Sequence, residues 1–241
     1  MQLLDISLSS PEENILFDDV LLDLAEQHKI PETIRFWESR QYFIVLGRIS
    51  KEAEDLNHKS IYEDGVPVLR RSSGGGTVVQ GPGCLNYTLV LSKSTNHALS
   101  DIRQSYQFIL GKMVEAFQKL NLKTSFFPIS DLAILEDNKK FSGNAQRRGK
   151  EFILHHGTIL YDFDLKRIAR YLKIPKDIPE YRQGRSHGEF VTNISCNLPS
   201  IKSALTETWN AQKPSKHLSQ LQKDLLQKYC DTKTVVVKIN P

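Results

Sequence analysis

The segment RRSSGGGTV at residues 70–78 concentrates residue types that could do chemistry. Its three consecutive glycines carry no Cβ, so successive amides can turn toward an anion, or a thin acyl chain can lie on the backbone. Arg70 and Arg71 offer guanidinium donors to phosphate or carboxylate. Taken alone, a glycine-rich hairpin with solvated arginines explains the segment equally well. The spacing matches neither the P-loop nor the dinucleotide-binding fingerprint.

A second polar motif, KFSGNAQRR at residues 140–148, is predicted to form a turn between two strands. Lys140 lies just before Ser142 and Gly143, and its ammonium could reach a carboxylate or a bridging phosphate oxygen. A charge-assisted hydrogen bond of that kind contributes about 1.5–3 kcal/mol. The alternative is a basic surface hairpin, which is the expectation for the neighbouring cations Lys139, Arg147 and Arg148.

The third motif is HHGTIL at residues 155–160, inside an apolar strand. Strand alternation sends His155 and His156 to opposite faces, so at most one of them is expected to line a site. Gly157 would let a ligand approach the backbone, whereas the alternative is a core histidine bonded to a carbonyl. Adjacent histidines are a poor zinc site, so we expect no zinc here.

Apolar patterning predicts the elements that position these motifs. Ser10, Pro11 and Glu13 form a capping box with proline at the first helical position, so a helix is predicted to begin there. Strands are predicted at 33–38, 42–47, 66–71, 86–91, 131–135, 151–163 and 233–239. Further helices are predicted at 101–122, 164–174, 200–211 and 216–229. Because regular crossover helices do not separate the strands, this order favours an α+β fold with a central mixed or mainly antiparallel sheet flanked by helices.

Composition and charge restrict the class of protein. A chain of 241 residues with 39% hydrophobic residues can bury a substantial core. Its net charge of +4 is too small to indicate nucleic acid binding. No stretch approaches the roughly 18 apolar residues of a membrane helix, so we expect no membrane partner and a cytoplasmic location. The cysteines Cys84, Cys196 and Cys230 have no metal-ligand spacing and are expected to be reduced thiols.

Read together, the three motifs are more specific than any one of them. Arg-Arg-x-x-Gly-Gly-Gly-x-Val, Lys-x-Ser-Gly-x-Ala and His-His-Gly-Thr, in this order, resemble the lipoate-protein ligase A family over roughly residues 10–195. The resemblance implies the catalytic-domain fold shared with biotin protein ligases and, more remotely, class II aminoacyl-tRNA synthetases. It also implies that ATP and lipoate or octanoate form an acyl-adenylate, whose acyl group passes to a lysine of a lipoyl carrier domain. Such carriers are the E2 subunits of 2-oxoacid dehydrogenases and the glycine cleavage H protein.

The resemblance also implies roles for individual residues. Lys140 matches the family's essential lysine, which holds the acyl carbonyl and the bridging phosphate oxygen. Asp131 matches an aspartate associated with Mg²⁺ and the nucleotide. The residues implied to bind lipoate and ATP are Arg70, Arg71, Ser73, Gly74, Gly75, Gly76, Thr77, Val78, Ser142, Gly143, Ala145, His156, Gly157 and Thr158.

Domain organisation follows from the same resemblance. We expect residues 1–241 to form a single catalytic domain of the biotin/lipoate ligase type, in which residues 196–241 are a helical C-terminal segment. Ligases with full two-step activity commonly carry an accessory domain or a separate accessory subunit. No full accessory domain is expected in this chain, so a separate subunit is a possible partner.

Two alternatives differ in chemistry. The first is an ATP-independent octanoyl or lipoyl transferase of the same fold, in which a cysteine holds the acyl group as a thioester. Cys196 is the preferred candidate, Cys84 the second, and Cys230 is expected to be structural. The other alternative is a non-catalytic module that binds lipoate or biotin, which Lys140 and the arginines disfavour because they suit a reacting acyl phosphate.

Overall fold

The first helix, α1 (Pro11–Glu26), begins where the sequence predicts. Ser10 Oγ accepts a hydrogen bond from the Glu13 amide, and the Glu13 carboxylate accepts one from the Ser10 amide. These bonds satisfy amides that the first helical turn leaves unpaired. The computed structural model describes residues 1–176, 178–212 and 217–239.

Two β-sheets form the centre of the fold. Their strands are β1 (Gln2–Asp5), β2 (Thr33–Trp37), β3 (Phe43–Leu46), β4 (Val68–Arg70), β5 (Val78–Gln80), β6 (Cys84–Ser92), β7 (Thr124–Phe127), β8 (Asp131–Ile134), β9 (Lys140–Arg148) and β10 (Phe152–Leu160). The large sheet has the order β1-β2-β6-β10-β9-β8-β7, and β4-β3-β5 form the small sheet. In the large sheet β1 and β2 are parallel and the other neighbours are antiparallel. This mixed, mainly antiparallel sheet confirms the predicted fold class.

Helices cover both faces of the large sheet. The helices after α1 are α2 (Glu52–Asp55), α3 (His58–Asp64), α4 (Ile102–Gln118), α5 (Lys166–Tyr171), α6 (His187–Phe190), α7 (Leu198–Thr208) and α8 (Gln220–Thr232). Apolar side chains of α4 and α7 pack in one core cluster, and those of α1 and α8 pack in another. In the part of the chain that the structure describes, no helix has the length and apolarity needed to cross a bilayer.

Strand β10 shows how alternation divides the sheet into two faces. Ile153 and Ile159 pack in the cluster with α4 and α7, whereas Leu154 packs with α1 and α8. His155 is fully buried, while His156 is partly exposed and lies beside α1. A sheet that is covered on both faces needs apolar residues at successive positions, which explains the apolar runs of its central strands.

Two predicted elements differ in the structure. Residues 140–148 are strand β9 and not a turn, because their backbone pairs with β8 on one side and β10 on the other. Residues 233–239 form only an isolated bridge, in which Val236 pairs with Leu69 at the edge of β4. The sequence also gave no sign of β1, which lies at the sheet edge beside β2. The last helix begins at Gln220, and predicted residue Lys216 lies outside the described residues.

A close backbone contact requires glycine at position 83, whereas no such contact requires glycine at position 111. A Cβ on Gly83 would lie 2.0 Å from the Asp162 carbonyl oxygen, and its φ of +81° is also unfavourable for other residues. No heavy atom outside α4 lies within 4 Å of a Cβ built on Gly111.

We therefore expect Gly83→Ala to lower the free energy of unfolding by more than about 2 kcal/mol. Gly111→Ala should raise it by about 0.5–1 kcal/mol. Urea denaturation checks both, and equal stability of the two variants would contradict the packing described.

Candidate active site

A cavity of about 850 Å³ opens between the two sheets and the segment that follows β4. The predicted residues that line it are Arg71, Gly75, Gly76, Thr77, Val78, Asp131, Lys140, Gly143, Ala145, His156, Gly157 and Thr158. Four further predicted residues, all described by the structure, lie outside its wall: Arg70, Ser73, Gly74 and Ser142. The three sequence motifs therefore meet at one cavity, although each contributes only part of its residues.

The guanidinium of Arg71 is wrapped by the segment at residues 71–77, here called the Arg71 loop. Its Nε donates to Ser73 Oγ at 3.0 Å, and its Nη2 donates to the carbonyls of Gly74 at 2.6 Å and Gly76 at 2.8 Å. Its Nη1 donates to the Val45 carbonyl at 3.3 Å. Arg71 thus holds the glycines in their conformation by donating to their carbonyls.

The charge of Arg71 is buried without a neutralising acid. Burial lowers the pKa of its guanidinium to about 10, and the nearby Tyr106 phenol opposes this shift in pKa. Among the described residues no carboxylate forms an ion pair with it. A buried, uncompensated cation raises the electrostatic potential of the cavity and favours an anionic ligand.

Arg70 points away from the cavity. Its Nη1 donates to the carbonyls of Gly47 at 2.9 Å and Ser50 at 2.8 Å, and its Nη2 pairs with Glu52 at 3.0 Å. Successive side chains at the end of a strand point to opposite sides, so Arg70 and Arg71 cannot both face the ligand. The structure therefore gives Arg70 contacts with the segment at residues 47–52 instead of a place in the cavity wall.

Lys140, the first residue of β9, forms an ion pair at the cavity wall. Its Nζ lies 2.7 Å from Asp131 Oδ1, and the Tyr181 hydroxyl donates to Asp131 Oδ2 at 2.7 Å. A Cβ on Gly143 would lie 3.1 Å from both Cε and Nζ of Lys140. The glycine of the second motif therefore leaves room for the lysine side chain. Tyr181 comes from the loop after α5 and stacks on Phe127.

The predicted Mg²⁺ position at Asp131 fits the residues only in part. Mg²⁺ is usually bound by one or two carboxylates together with substrate phosphates and water. Both oxygens of Asp131 already have partners, so a metal ion would have to replace Lys140 or Tyr181. Within the described residues no group of three or more His, Cys, Asp or Glu side chains converges as a metal site. Asp131 could thus supply one ligand, and nucleotide phosphates would have to supply others.

His156 connects the cavity to helix α1. Its Nε2 lies 2.6 Å from Ser73 Oγ, and its Nδ1 lies 3.2 Å from Asp18 Oδ2. Asp18 also pairs with the buried Arg35 at 2.9 Å. Ser73, although outside the cavity wall, therefore links His156 to the Arg71 loop.

Gly157 makes room for a side chain of the protein. A Cβ there would lie 1.8 Å from Asn144 Oδ1 and 2.8 Å from the Tyr87 ring. The Tyr87 hydroxyl donates to Asn144 Oδ1 at 2.5 Å, and Asn144 Nδ2 donates to the Ser130 carbonyl at 2.8 Å. Asn144 thereby fixes the backbone next to Asp131. The glycine of the third motif and the asparagine of the second are thus parts of one contact.

Sequence reasoning missed several residues of the cavity wall. They include Ile15, Asp18, Trp37, Tyr87, Tyr106 and Asn144. Asn144 had a signal, because it lies inside the second motif. Asp18 had a weaker one, because it stands among apolar residues of α1 where an unpaired acid would be costly. The aromatic residues had none, since they read as ordinary core positions.

The three cysteines, all of them described, lie outside the cavity wall. Cys84 is fully buried in β6, and burial raises the pKa of its thiol far above the usual range. Cys196 packs against the core cluster of α4 and α7, and burial raises its pKa as well. Cys230 is exposed on α8, and its pKa is raised mainly by partial burial. None of them has the cationic neighbour that favours a thiolate.

Residues 10–210 match the family model described as the lipoyl protein ligase A/B catalytic domain. The chain belongs to this family. It is 29% identical over 195 residues to a probable lipoate-protein ligase A of Mycoplasma genitalium, covering 81% of this chain and 56% of that protein. It is 25% identical over 189 residues to the octanoyltransferase LipM of Brevibacillus brevis, covering 70% of this chain and 68% of that protein. The chain thus spans 56% of the length of the Mycoplasma ligases that it matches.

Solved lipoate-protein ligases share the fold of this member of the family. The bipartite ligase of Thermoplasma acidophilum superposes with a TM-score of 0.80 at 22% identity, over 97% of this chain and 93% of that one. A lipoate-protein ligase A bound with ATP superposes with a TM-score of 0.79 at 19% identity, over 96% and 94%. The predicted ligase-type fold is therefore confirmed.

Burial of His155 should make the stability of the protein depend on pH. Burial, with a smaller effect of His156, lowers the pKa of His155 to about 3. Its contribution to stability is therefore complete above its unfolded pKa of about 6.5 and falls as the pH drops toward 3. Between pH 7 and pH 5 this one group should lower the free energy of unfolding by about 2 kcal/mol.

Urea denaturation of the wild type and of His155→Gln at both pH values measures this contribution. When the pH falls from 7 to 5, the free energy of unfolding of the variant should drop by about 2 kcal/mol less than that of the wild type. Gly111→Ala, which replaces no titratable group, should lose as much free energy of unfolding as the wild type. Equal losses in the wild type and His155→Gln would show that His155 does not stay neutral in the fold.

Proposed function

We propose that this protein is an ATP-dependent lipoate-protein ligase, which activates lipoate or octanoate as an acyl-adenylate and transfers the acyl group to a lysine of a lipoyl carrier domain. The observation that carries the proposal is the composition of the cavity wall. It holds the cations Arg71 and Lys140, whereas all three cysteines lie elsewhere in the described chain. Cations at the wall suit an acyl phosphate, and a thioester mechanism needs a thiol there.

In the first step the acyl carboxylate attacks the α-phosphorus of ATP. A carboxylate–phosphorus bond forms, the bond to the bridging oxygen breaks, and pyrophosphate leaves with the bond electrons. The Lys140 ammonium stabilises the negative charge that grows on the phosphate oxygens, and the buried charge of Arg71 favours the bound anions. Preorganised charge of this kind is typically worth about 10²–10³ in rate.

In the second step the neutral amine of the carrier lysine attacks the acyl carbonyl. An amide bond forms, AMP leaves, and the amine proton is lost to solvent. Lys140 lies where it can stabilise the departing phosphate, because its ammonium is at the wall and is held by Asp131 at 2.7 Å. The same ion pair keeps the ammonium oriented before substrates arrive.

Similar proteins support this assignment of substrates and partners. One solved structure with the same fold is a lipoate-protein ligase bound with ATP, and another belongs to a bipartite ligase described with its E2 lipoyl domain. A cavity of about 850 Å³ lies within the range of about 300–1,000 Å³ typical of ligand sites. We propose the same substrates for this chain, and a separate accessory subunit as its partner.

The arrangement of the last helices supports a single catalytic domain over residues 1–241. Helix α7 packs with α4, and α8 packs with α1, so both take part in covering the large sheet. A segment that completes the core in this way is part of the catalytic domain in our proposal. The cytoplasmic location remains a prediction, consistent with a reaction that consumes ATP.

The second candidate is the ATP-independent octanoyltransferase. It is favoured by the similarity to LipM, which extends over 68% of that protein. It requires a thiol that exchanges acyl groups with a thioester, and Cys196 remains the preferred residue. Its position against the core cluster and its raised pKa count against it, because exchange needs an accessible thiolate.

Replacing Lys140 tests the ligase chemistry. With lipoate, ATP, magnesium and an apo lipoyl domain, Lys140→Ala should lower kcat about 10²–10³-fold because the transition state loses a cation of the cavity wall. Lys139→Ala is the matched control, since Lys139 is its neighbour and pairs with Asp137 instead. Mass spectrometry of the carrier domain measures the product. Undiminished turnover by Lys140→Ala would remove the lysine from the mechanism.

The source of the acyl group separates the two candidate functions. We expect the carrier domain to be modified with lipoate and ATP, and to stay unmodified with octanoyl-carrier protein in the absence of ATP. Cys196→Ser should retain the ATP-dependent reaction because the thiol lies outside the cavity. Cys230→Ser is the control for loss of an exposed thiol. Modification only in the mixture without ATP, abolished by Cys196→Ser, would establish the transferase instead.

A further inference from the structure

Two adjacent carboxylates of α1 reach the serines that begin the glycine segment. Asp18 and Asp19 are 4% and 7% exposed, so each is a buried acid on the inner side of the helix. Both stand far in sequence from Ser72 and Ser73, which they contact directly or through one residue. We call the pair Asp18 and Asp19 the α1 clamp.

Asp18 acts through a chain of three hydrogen bonds. Its Oδ2 lies 3.2 Å from His156 Nδ1, and His156 Nε2 lies 2.6 Å from Ser73 Oγ. Ser73 Oγ also accepts a hydrogen bond from Arg71 Nε at 3.0 Å. The chain therefore runs from α1 through β10 to the arginine that shapes the cavity wall.

The carboxylate of Asp18 decides the donors and acceptors of this chain. Because a carboxylate can only accept, the ring nitrogen that faces it, His156 Nδ1, carries the proton of the neutral imidazole. His156 Nε2 is then an acceptor, and Ser73 Oγ, which accepts from Arg71, donates its own proton to Nε2. The carboxylate thus selects the Nδ1–H tautomer of His156, and that tautomer orients the hydroxyl of Ser73.

The order Asp, His, Ser also occurs in serine hydrolases, but the surroundings exclude that role for Ser73. A nucleophile must face the reacting carbonyl. Ser73 is 1% exposed and is not part of the cavity wall. Its Oγ already forms hydrogen bonds with Arg71 and with His156. The chain therefore positions other groups.

Asp19 holds the adjacent serine in a parallel way. Ser72 Oγ donates to Asp19 Oδ1 at 2.5 Å, and Arg147 Nη1 pairs with the same oxygen at 2.6 Å. Arg147 belongs to β9, so Asp19 ties the start of the Arg71 loop to both α1 and the large sheet. This second contact is independent of His156.

We infer that Asp18 and Asp19 are positioning residues for the proposed ligase reaction, acting through His156 and the two serines to fix the Arg71 loop against the large sheet. The inference rests on the proposed function only where it concerns turnover. Its structural part, the tautomer of His156 that Asp18 selects, can be tested without any substrate.

The first test is nitrogen NMR of ¹⁵N-histidine-labelled protein, with the His156 signals identified by their loss in His156→Gln. The wild type should show the Nδ1–H tautomer. In Asp18→Asn the new amide can donate to Nδ1 while its oxygen still accepts from Arg35, so we expect the Nε2–H tautomer. The Nε2–H tautomer in the wild type, or no change in the variant, would overturn the inference.

The second test is steady-state kinetics with lipoate, ATP and an apo carrier domain. In the proposed reaction the Arg71 loop faces the bound anion in both the ground state and the transition state, so Asp18→Asn should raise KM for lipoate about tenfold and change kcat little. Mere loss of folded enzyme would lower apparent kcat and leave KM unchanged, and this result would contradict the positioning role. Glu207→Gln, at a distant ion pair with Lys119, should leave both parameters unchanged.

Ser73→Ala keeps the inference testable if Asp18→Asn does not fold. This variant leaves the Asp18–Arg35 pair intact and removes only the hydroxyl between His156 and Arg71. It should also raise KM for lipoate about tenfold, and an unchanged KM would overturn the inference. If the wild type has no ligase activity but the tautomer of His156 changes in Asp18→Asn as expected, the proposed function is refuted. The positioning of His156 by the α1 clamp is then still supported.

Discussion

The shape of the cavity depends on the buried charge of Arg71. Burying an ion without a partner costs several kcal/mol, and here the cost is offset by four hydrogen bonds to a serine hydroxyl and three carbonyls. Two of those carbonyls belong to Gly74 and Gly76, and between them Gly75 has a φ of +80° and would place a Cβ 3.0 Å from Arg71 Nη2, so glycine suits that position. The charge of Arg71 thus lies at the cavity wall, while its guanidinium donors are used by groups of the protein itself. An arginine in a ligand-binding motif can therefore act by shaping the backbone and setting the field.

The register of the large sheet brings the remaining motifs to this wall. Pairing of β10 with β9 sets His156 opposite Ala145, and pairing of β9 with β8 sets Gly143 opposite Asp131. Two glycines of the motifs then serve neighbouring side chains: Gly143 accommodates Lys140, and Gly157 accommodates the Asn144 side chain. In this part of the site, glycine makes room for the protein's own polar groups.

The sequence predicted those structural elements that are determined by residues close together in the chain. The capping box at Ser10 is formed within four residues, so the start of α1 could be read directly. Strand β9 could not, because its polar composition resembles a turn and its structure comes from pairing with two distant strands. The same holds for Asp18, which meets His156 across 138 positions of the chain. The adjacent residues Arg70 and Arg71 look equivalent in the sequence. Their side chains point to opposite sides at the end of the strand, and only Arg71 lines the cavity.

Sequence similarity alone does not separate the two chemistries of this family, because relatives named as ligases and as octanoyltransferases both match the chain. The two reactions need different groups at the same carbonyl. Adenylate formation needs cations beside a phosphate, whereas thioester exchange needs a thiolate at the carbonyl itself. Cys196 packs against the core cluster and could serve exchange only after the segment between α6 and α7 moved toward the cavity. Lys140 needs no such movement, since it already lies at the wall, where it pairs with Asp131.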